Sequence, residues 1–127
     1  MTVIDTSAWI EALRRDGDPA VRERVKQSLF SGEARFVPFV LLELWNGARG
    51  DAEKKSLREF EKFVPTLPCD DAVWKLATKL AQKARSSGVT APAADLLIAA
   101  TALRHKAGLL HNDAHLDALE VLAAEVG

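Results

Sequence analysis

The chain has 127 residues, of which 48% are hydrophobic, and its 17 basic residues nearly balance its 18 acidic ones. The length predicts a single domain over residues 1–127 with a sizeable core, and the net charge of −1 excludes a globally basic nucleic-acid-binding surface. Cys69 is the only cysteine, which excludes an internal disulfide and a cysteine-built zinc site. Without a membrane-length apolar stretch or a secretion signal at its start, the chain is expected in the cytoplasm.

The first half of the chain alternates short apolar segments with helical patterns. Residues 2–5 predict a buried strand that ends on an acid, and Thr6 or Ser7 can cap a helix that begins at Ala8. The next predicted elements are a helix over residues 18–30, a strand over 35–37, a helix over 38–48 and a helix capped by Asp51.

The second half contains the clearest helical repeats. A brief strand near Thr66 precedes an amphipathic helix over residues 70–86, and a nearly all-apolar helix follows over residues 92–103. Residues 109–110 predict a short strand, and residues 116–126 a turn of helix and a last strand. Short strands that alternate with longer helices predict an α/β fold, in which a short, mostly parallel sheet is flanked by helices on both faces.

Four acidic residues lie at the ends of strongly apolar segments or inside them: Asp5, Glu43, Asp95 and Asp113. An isolated carboxylate in apolar surroundings is costly, and it takes up a proton or binds a cation. Ligands bind at the carboxyl ends of strands in open parallel sheets, where these acids are predicted to meet. Carboxylate oxygens suit Mg²⁺ or Mn²⁺, and such a site fits phosphodiester hydrolysis.

Each acid also has a purely structural interpretation. Asp5 can cap a helix, Asp95 can interact with a helix dipole, and Asp113 can stabilise an Asn-Asp turn. Glu43 is harder to explain structurally, because apolar residues surround it on its helix and it would need an arginine partner or an outward orientation. The metal-site prediction therefore depends on the set of four.

Four ordered blocks of sequence resemble the PIN-domain ribonucleases, and most closely the VapC toxins of bacterial toxin–antitoxin modules. The blocks are residues 3–10 (VIDTSAWI), 42–49 (LELWNGAR), 94–100 (ADLLIAA) and 109–113 (LLHND). The resemblance covers nearly the whole chain and implies a PIN-like fold. It also implies a Mg²⁺- or Mn²⁺-dependent endoribonuclease that acts as the toxin of a type II, VapBC-like system.

The resemblance assigns roles position by position. The family's four catalytic and metal-binding acids correspond to Asp5, Glu43, Asp95 and Asp113. The first and third of these match the most direct metal ligands, and the hydroxyl of Thr6 or Ser7 would support the pocket. Beyond the fourth acid, family members often have a further Asp followed by Phe, whereas this chain has His115 and Leu116.

Partners are implied by the same resemblance. They are an RNA substrate, a VapB-like antitoxin whose C-terminal segment crosses the acidic pocket, and a second toxin copy in a homodimer, which can form a heterotetramer or larger assembly with antitoxin. Trp9, Trp45 and the helix around Leu13 are candidate antitoxin contacts, although core packing is the commoner role of a tryptophan. Trp74 is predicted in the core or on a dimer surface.

Other site chemistries fit the sequence less well. A phosphate-accepting receiver module would need a second acid beside Asp5, and a dehalogenase-type phosphatase would need an Asp where this chain has Ser7. A zinc pair of His111 and His115 would need a continuous helix that the turn predicted between them interrupts. The remaining alternative is a PIN-like RNA-binding or dimerising module with weak or no catalysis.

Overall fold

A three-stranded parallel sheet lies at the centre of the computed structural model, which describes residues 1–126. The strands are β1 (Thr2–Ile4), β2 (Ala34–Arg35) and β3 (Gly108–Leu110), in the order β2-β1-β3. Thr2 of the central strand pairs with Ala34 on one side and with Gly108 on the other. Strand order therefore reverses beside β1, which is where open parallel sheets form a ligand-binding crevice.

Helices cover both faces of the sheet. They are α1 (Thr6–Leu13), α2 (Pro19–Phe30), α3 (Pro38–Asn46), α4 (Gly50–Phe63), α5 (Asp71–Ser86), α6 (Ala93–Arg104) and α7 (Ala114–Val126). Val3 and Ile4 are both completely buried, and consecutive strand residues point to opposite faces. The predicted α/β architecture is thus confirmed. Within residues 1–126, no helix is both long and apolar enough to cross a membrane.

Two of the predicted helix caps differ in the structure. Asp51 was predicted to cap α4, but Arg49 holds the N-cap position without a side-chain hydrogen bond, and Asp51 lies in the first turn of the helix. Asp18 and Asp70, where two helices were predicted to begin, accept hydrogen bonds from backbone N–H groups in the first turns of α2 and α5. The prediction that Thr6 or Ser7 caps α1 was wrong, because Asp5 itself is the N-cap. The structural interpretation of the first acid as a helix cap is therefore confirmed, beside the metal-binding role predicted for it.

The largest aromatic side chain of the core is Trp9. Its ring stacks on Phe36 with centroids 4.6 Å apart and lies 5.4 Å from the ring of Phe60. Because Trp9 is 0% exposed, it is a core residue, which is the role that the sequence favoured for it over an antitoxin contact. Trp45 is half-buried, whereas Trp74 is 54% exposed and is therefore not a core residue.

Two predicted strands are not formed as strands. The segment near Thr66 makes a single parallel bridge to Phe36. The prediction of a last strand within residues 116–126 was wrong, because α7 runs without interruption from Ala114 to Val126. Leu116, Leu119 and Leu122 recur at helical spacing and are buried against the cluster that contains residues of α5 and α6. The length of α7 matters for the site, because its first turn begins beside the fourth acid.

Candidate active site

Four structural elements deliver the predicted acids to the region beyond the carboxyl ends of β1 and β3. Asp5 directly follows β1, and its backbone N–H donates to the Leu110 carbonyl at 3.0 Å, so the two strands remain paired up to the site. Asp113 lies in the loop between β3 and α7. Asp95 is in the first turn of α6, and Glu43 lies on α3.

Hydrogen bonds hold the Asp5 carboxylate in place. The residue is 2% exposed, and its Oδ1 accepts hydrogen bonds from the Ser7 hydroxyl at 2.8 Å and from the Ala8 N–H at 3.0 Å. The Ser7 oxygen in turn accepts a hydrogen bond of 3.0 Å from the N–H of Asn112, which is 105 residues away. A single hydroxyl therefore ties the loop after β3 to the start of α1.

Glu43 is oriented by a hydroxyl rather than by an arginine. The hydroxyl of Thr6 donates to Glu43 Oε1 at 2.7 Å, which directs the carboxylate of α3 toward the start of α1. Within residues 1–126, neither an arginine nor a lysine forms an ion pair with any of the four acids. Their negative charges are therefore not neutralised by the arginine or lysine side chains of the described residues.

Asp95 has the least satisfied carboxylate of the site. It is 8% exposed, and its Oδ2 is buried without a hydrogen-bond partner. The nearest basic atom paired with it is His115 Nδ1 at 3.9 Å, which is too long for a hydrogen bond. Asp113 has partners, since its Oδ1 accepts from the His115 N–H at 2.8 Å and lies 3.2 Å from His115 Nδ1.

The pKa of Asp95 responds to all three of the other acids. Burial is the largest cause that raises its pKa, and the charges of Asp113, Asp5 and Glu43 raise it further, while His115 lowers it. Burial also raises the pKa of Asp5, against the hydrogen bonds that favour its ionised form. The structure therefore brings all four predicted acids within electrostatic reach of one another.

The two histidines of this region belong to different groups, so they do not form a helical metal pair. The N–H of Asp113 donates to His111 Nδ1 at 3.3 Å, which leaves the His111 proton on Nε2. That nitrogen lies 2.6 Å from Glu120 Oε1 and 3.5 Å from Asp117 Oδ1. His111 thus links two parts of the site: the loop that contains Asp113, and α7. Sequence spacing did not predict this contact.

The site lies within a segment that matches a known family. The sequence model of the PIN domain matches residues 2–122 of the chain. The chain belongs to the PIN-domain family. Ribonuclease VapC11 of Mycobacterium tuberculosis is 36% identical over 123 residues, which cover 94% of this chain and 91% of that relative. The resemblance inferred from the four sequence blocks is confirmed.

Solved structures share the fold of this PIN domain. FitAcB from Neisseria gonorrhoeae matches it with a TM-score of 0.73 and 20% sequence identity, over 94% of each chain. VapBC-1 from nontypeable Haemophilus influenzae matches with a TM-score of 0.72 and 19% identity, over 94% of this chain and 92% of that one. The PIN-like fold inferred from the sequence is therefore confirmed.

The raised pKa values predict how the stability of this PIN domain depends on pH. Because the folded-state pKa of Asp95 lies above its unfolded value, the folded state binds more protons in the interval between the two values. The stability contributed by this group is present below the unfolded-state pKa and is lost as the pH rises through the folded-state pKa. In EDTA, Asp95→Asn is therefore expected to gain stability relative to the wild type as the pH rises. Urea unfolding at several pH values measures this difference, and a difference that falls with pH would contradict the prediction.

Removal of the Ser7 hydroxyl is expected to loosen the site. Ser7→Ala deletes a donor to Asp5 and leaves the Asn112 N–H without its acceptor, so we expect a loss of about 1–2 kcal/mol in stability. A displaced supporting group of this kind is expected to lower metal affinity by about tenfold or more. Calorimetric titration with Mn²⁺ measures the second effect. Ser87→Ala, at an exposed serine beyond α5, is the matched control and should change neither quantity.

Proposed function

We propose that this chain is a metal-dependent endoribonuclease and the toxin of a type II, VapBC-like toxin–antitoxin system. The observation that carries the proposal is the convergence of four carboxylates, without arginine or lysine partners in residues 1–126, at the carboxyl edge of the sheet. The 36% identity with a relative named as a ribonuclease supports the same reaction.

The residues of the site fit a divalent cation. Asp95 Oδ2 is a buried oxygen without a hydrogen-bond partner, and the acids beside it repel one another when all are ionised. Hard oxygen ligands of this kind suit Mg²⁺ or Mn²⁺. A divalent ion in such a site supplies charge stabilisation at phosphate oxygens and a lowered pKa for the attacking water.

We assign separate tasks to the side chains. Asp5 and Asp95 are proposed as the most direct metal ligands, because they are the two most deeply buried of the four acids. Glu43 and Asp113 are proposed to complete the pocket and to orient water or a second ion. The hydroxyls of Thr6 and Ser7 contact Glu43 and Asp5 and support their orientation.

The proposed partners follow from the same family. VapBC-1 and FitAcB are two of the structural neighbours with this fold, and we propose that this chain binds a VapB-like antitoxin. A homodimer of toxin, alone or in a heterotetramer or larger assembly with antitoxin, is part of the proposal. The substrate is RNA, which sets the expected site of action in the cytoplasm.

A cleavage assay tests the reaction. Purified protein is incubated with total cellular RNA in the presence of MgCl₂, MnCl₂ or EDTA, and the new RNA ends are mapped. We expect discrete internal cuts with either metal and none in EDTA, because the carboxylates alone offer no stabilisation of negative charge on phosphate. Intact RNA under all three conditions would favour the alternative, a PIN-like RNA-binding or dimerising module. Expression in cells, with and without the small protein encoded beside this one, tests the toxin role separately through growth.

A further inference from the structure

The geometry points to His115 as a metal ligand, which would give the site a mixed imidazole and carboxylate donor set and a preference for a first-row transition-metal ion over Mg²⁺. This inference rests on the proposed function, because it concerns the same acidic cluster. It goes beyond that function by assigning a nitrogen donor to a site otherwise built from oxygen.

Three side chains bring their donor atoms together at the start of α7. Asp95, Asp113 and His115 each offer one atom, and these atoms all lie within 4.8 Å of one another. His115 Nδ1 is 3.2 Å from Asp113 Oδ1 and 3.9 Å from Asp95 Oδ2. Both separations are less than twice the usual metal–nitrogen or metal–oxygen distance of about 2.1 Å. A single ion placed between His115 Nδ1 and either carboxylate oxygen can therefore contact both atoms of that pair.

The buried oxygen of Asp95 is the second observation. Its Oδ2 has no hydrogen-bond partner. The residue is only 8% exposed, and buried polar atoms are usually hydrogen-bonded. The distance of 3.9 Å to His115 Nδ1 is too long for a direct hydrogen bond to satisfy it. A cation between the two atoms would satisfy the oxygen and use the lone pair of the neutral imidazole.

The position of His115 is set by the backbone and the core. Its N–H donates to Asp113 Oδ1 at 2.8 Å, which fixes the turn where α7 begins. The next residue, Leu116, is completely buried and anchors the first turn of the helix. The imidazole is therefore attached to a constrained backbone immediately beside the acidic cluster.

Donor chemistry gives the metal preference. Mg²⁺ favours oxygen ligands and retains several waters, whereas imidazole suits transition-metal ions, whose affinities rise from Mn²⁺ through Co²⁺ to Ni²⁺. His115 stands where the resemblance described above often has a further aspartate, which would supply oxygen. The substitution His115→Asp is thus a direct exchange of a nitrogen donor for an oxygen donor at one position.

The other histidines are separable from this role. His111 has both ring nitrogens engaged, with the Asp113 N–H and with Glu120. His105 lies at the opposite end of α6 from Asp95, about 15 Å along the helix axis, and contacts the Pro68 carbonyl. His105→Ala is therefore a matched control that removes an imidazole without touching the acidic cluster.

Pulsed electron paramagnetic resonance of the protein loaded with MnCl₂ tests the inference. We expect nitrogen-14 modulation from a coordinated imidazole in the wild type and in His105→Ala. The modulation should be absent from His115→Ala and His115→Asp. Calorimetric titrations with MnCl₂ and MgCl₂ should show the ratio of Mn²⁺ to Mg²⁺ affinity falling by about tenfold or more in His115→Asp.

The outcomes separate this inference from the proposed nuclease. Bound Mn²⁺ without nitrogen modulation, or modulation that persists in His115→Ala, overturns the role of His115, while RNA cleavage by the same preparation would leave the nuclease intact. Modulation that depends on His115 in a protein that cleaves no RNA supports the ligand and overturns the nuclease. A wild type that binds no Mn²⁺ overturns both.

Discussion

Asp95→Asn is expected to lower RNA cleavage by about 100- to 1,000-fold or more, while the metal-free protein remains folded and becomes at least as stable as the wild type. The variant keeps the size of the side chain and removes the charge that would face the cation. It also removes a buried carboxylate whose pKa is raised by burial and by the charges of Asp113, Asp5 and Glu43. Cleavage rates at saturating MnCl₂ and urea unfolding in EDTA measure the two effects.

Asp71→Asn is the matched control for this prediction. Asp71 also lies in the first turn of its helix, α5, but it is exposed. If Asp95 served only the helix dipole, both variants would lose stability by a similar amount, about 0.3–1 kcal/mol, and neither would lose activity. We expect that small loss in Asp71→Asn alone, with full cleavage. RNA cleavage by Asp95→Asn at the wild-type rate would show that Asp95 does not belong to the catalytic site.

Trp9→Ala is expected to cost about 3–5 kcal/mol in the free energy of unfolding, the largest loss of stability that we predict for one substitution. The indole is completely buried, stacked on Phe36 and close to Phe60. Small domains are stable by only about 5–15 kcal/mol, so the variant should be close to unfolding at physiological temperature. Urea unfolding followed by circular dichroism gives the measurement.

Two further tryptophan variants sharpen this test. Trp74→Ala removes an indole that is 54% exposed, and we expect a change of about 0.5 kcal/mol or less. Trp9→Phe should lose less than Trp9→Ala, because it keeps a ring in the core and removes an indole N–H that is buried without a partner. Equal losses in Trp9→Ala and Trp74→Ala would contradict the packing assigned to Trp9.

The elements were largely predictable where local chemistry decides them. The starts of α2 and α5 at Asp18 and Asp70 were predicted, because a capping side chain needs only the next three residues of its own chain. The extent of the last helix was missed, because the apolar residues of a short segment fit more than one structure until a partner surface is known. Leu116 and Leu119 form a helix face because the cluster formed by α5 and α6 buries them there.

The sequence by itself determined which residue types the site contains. Asp5, Glu43, Asp95 and Asp113 could be selected because a charge in an apolar segment is costly wherever the chain folds. Only the tertiary structure decided what each carboxylate contacts. Hydrogen bonds act over about 3 Å between groups that folding brings together, so the bond from Asn112 to Ser7, across 105 residues, has no signal in sequence spacing. The same holds for the unpaired oxygen of Asp95 beside the imidazole of His115, since burial and distance are properties of the packed chain.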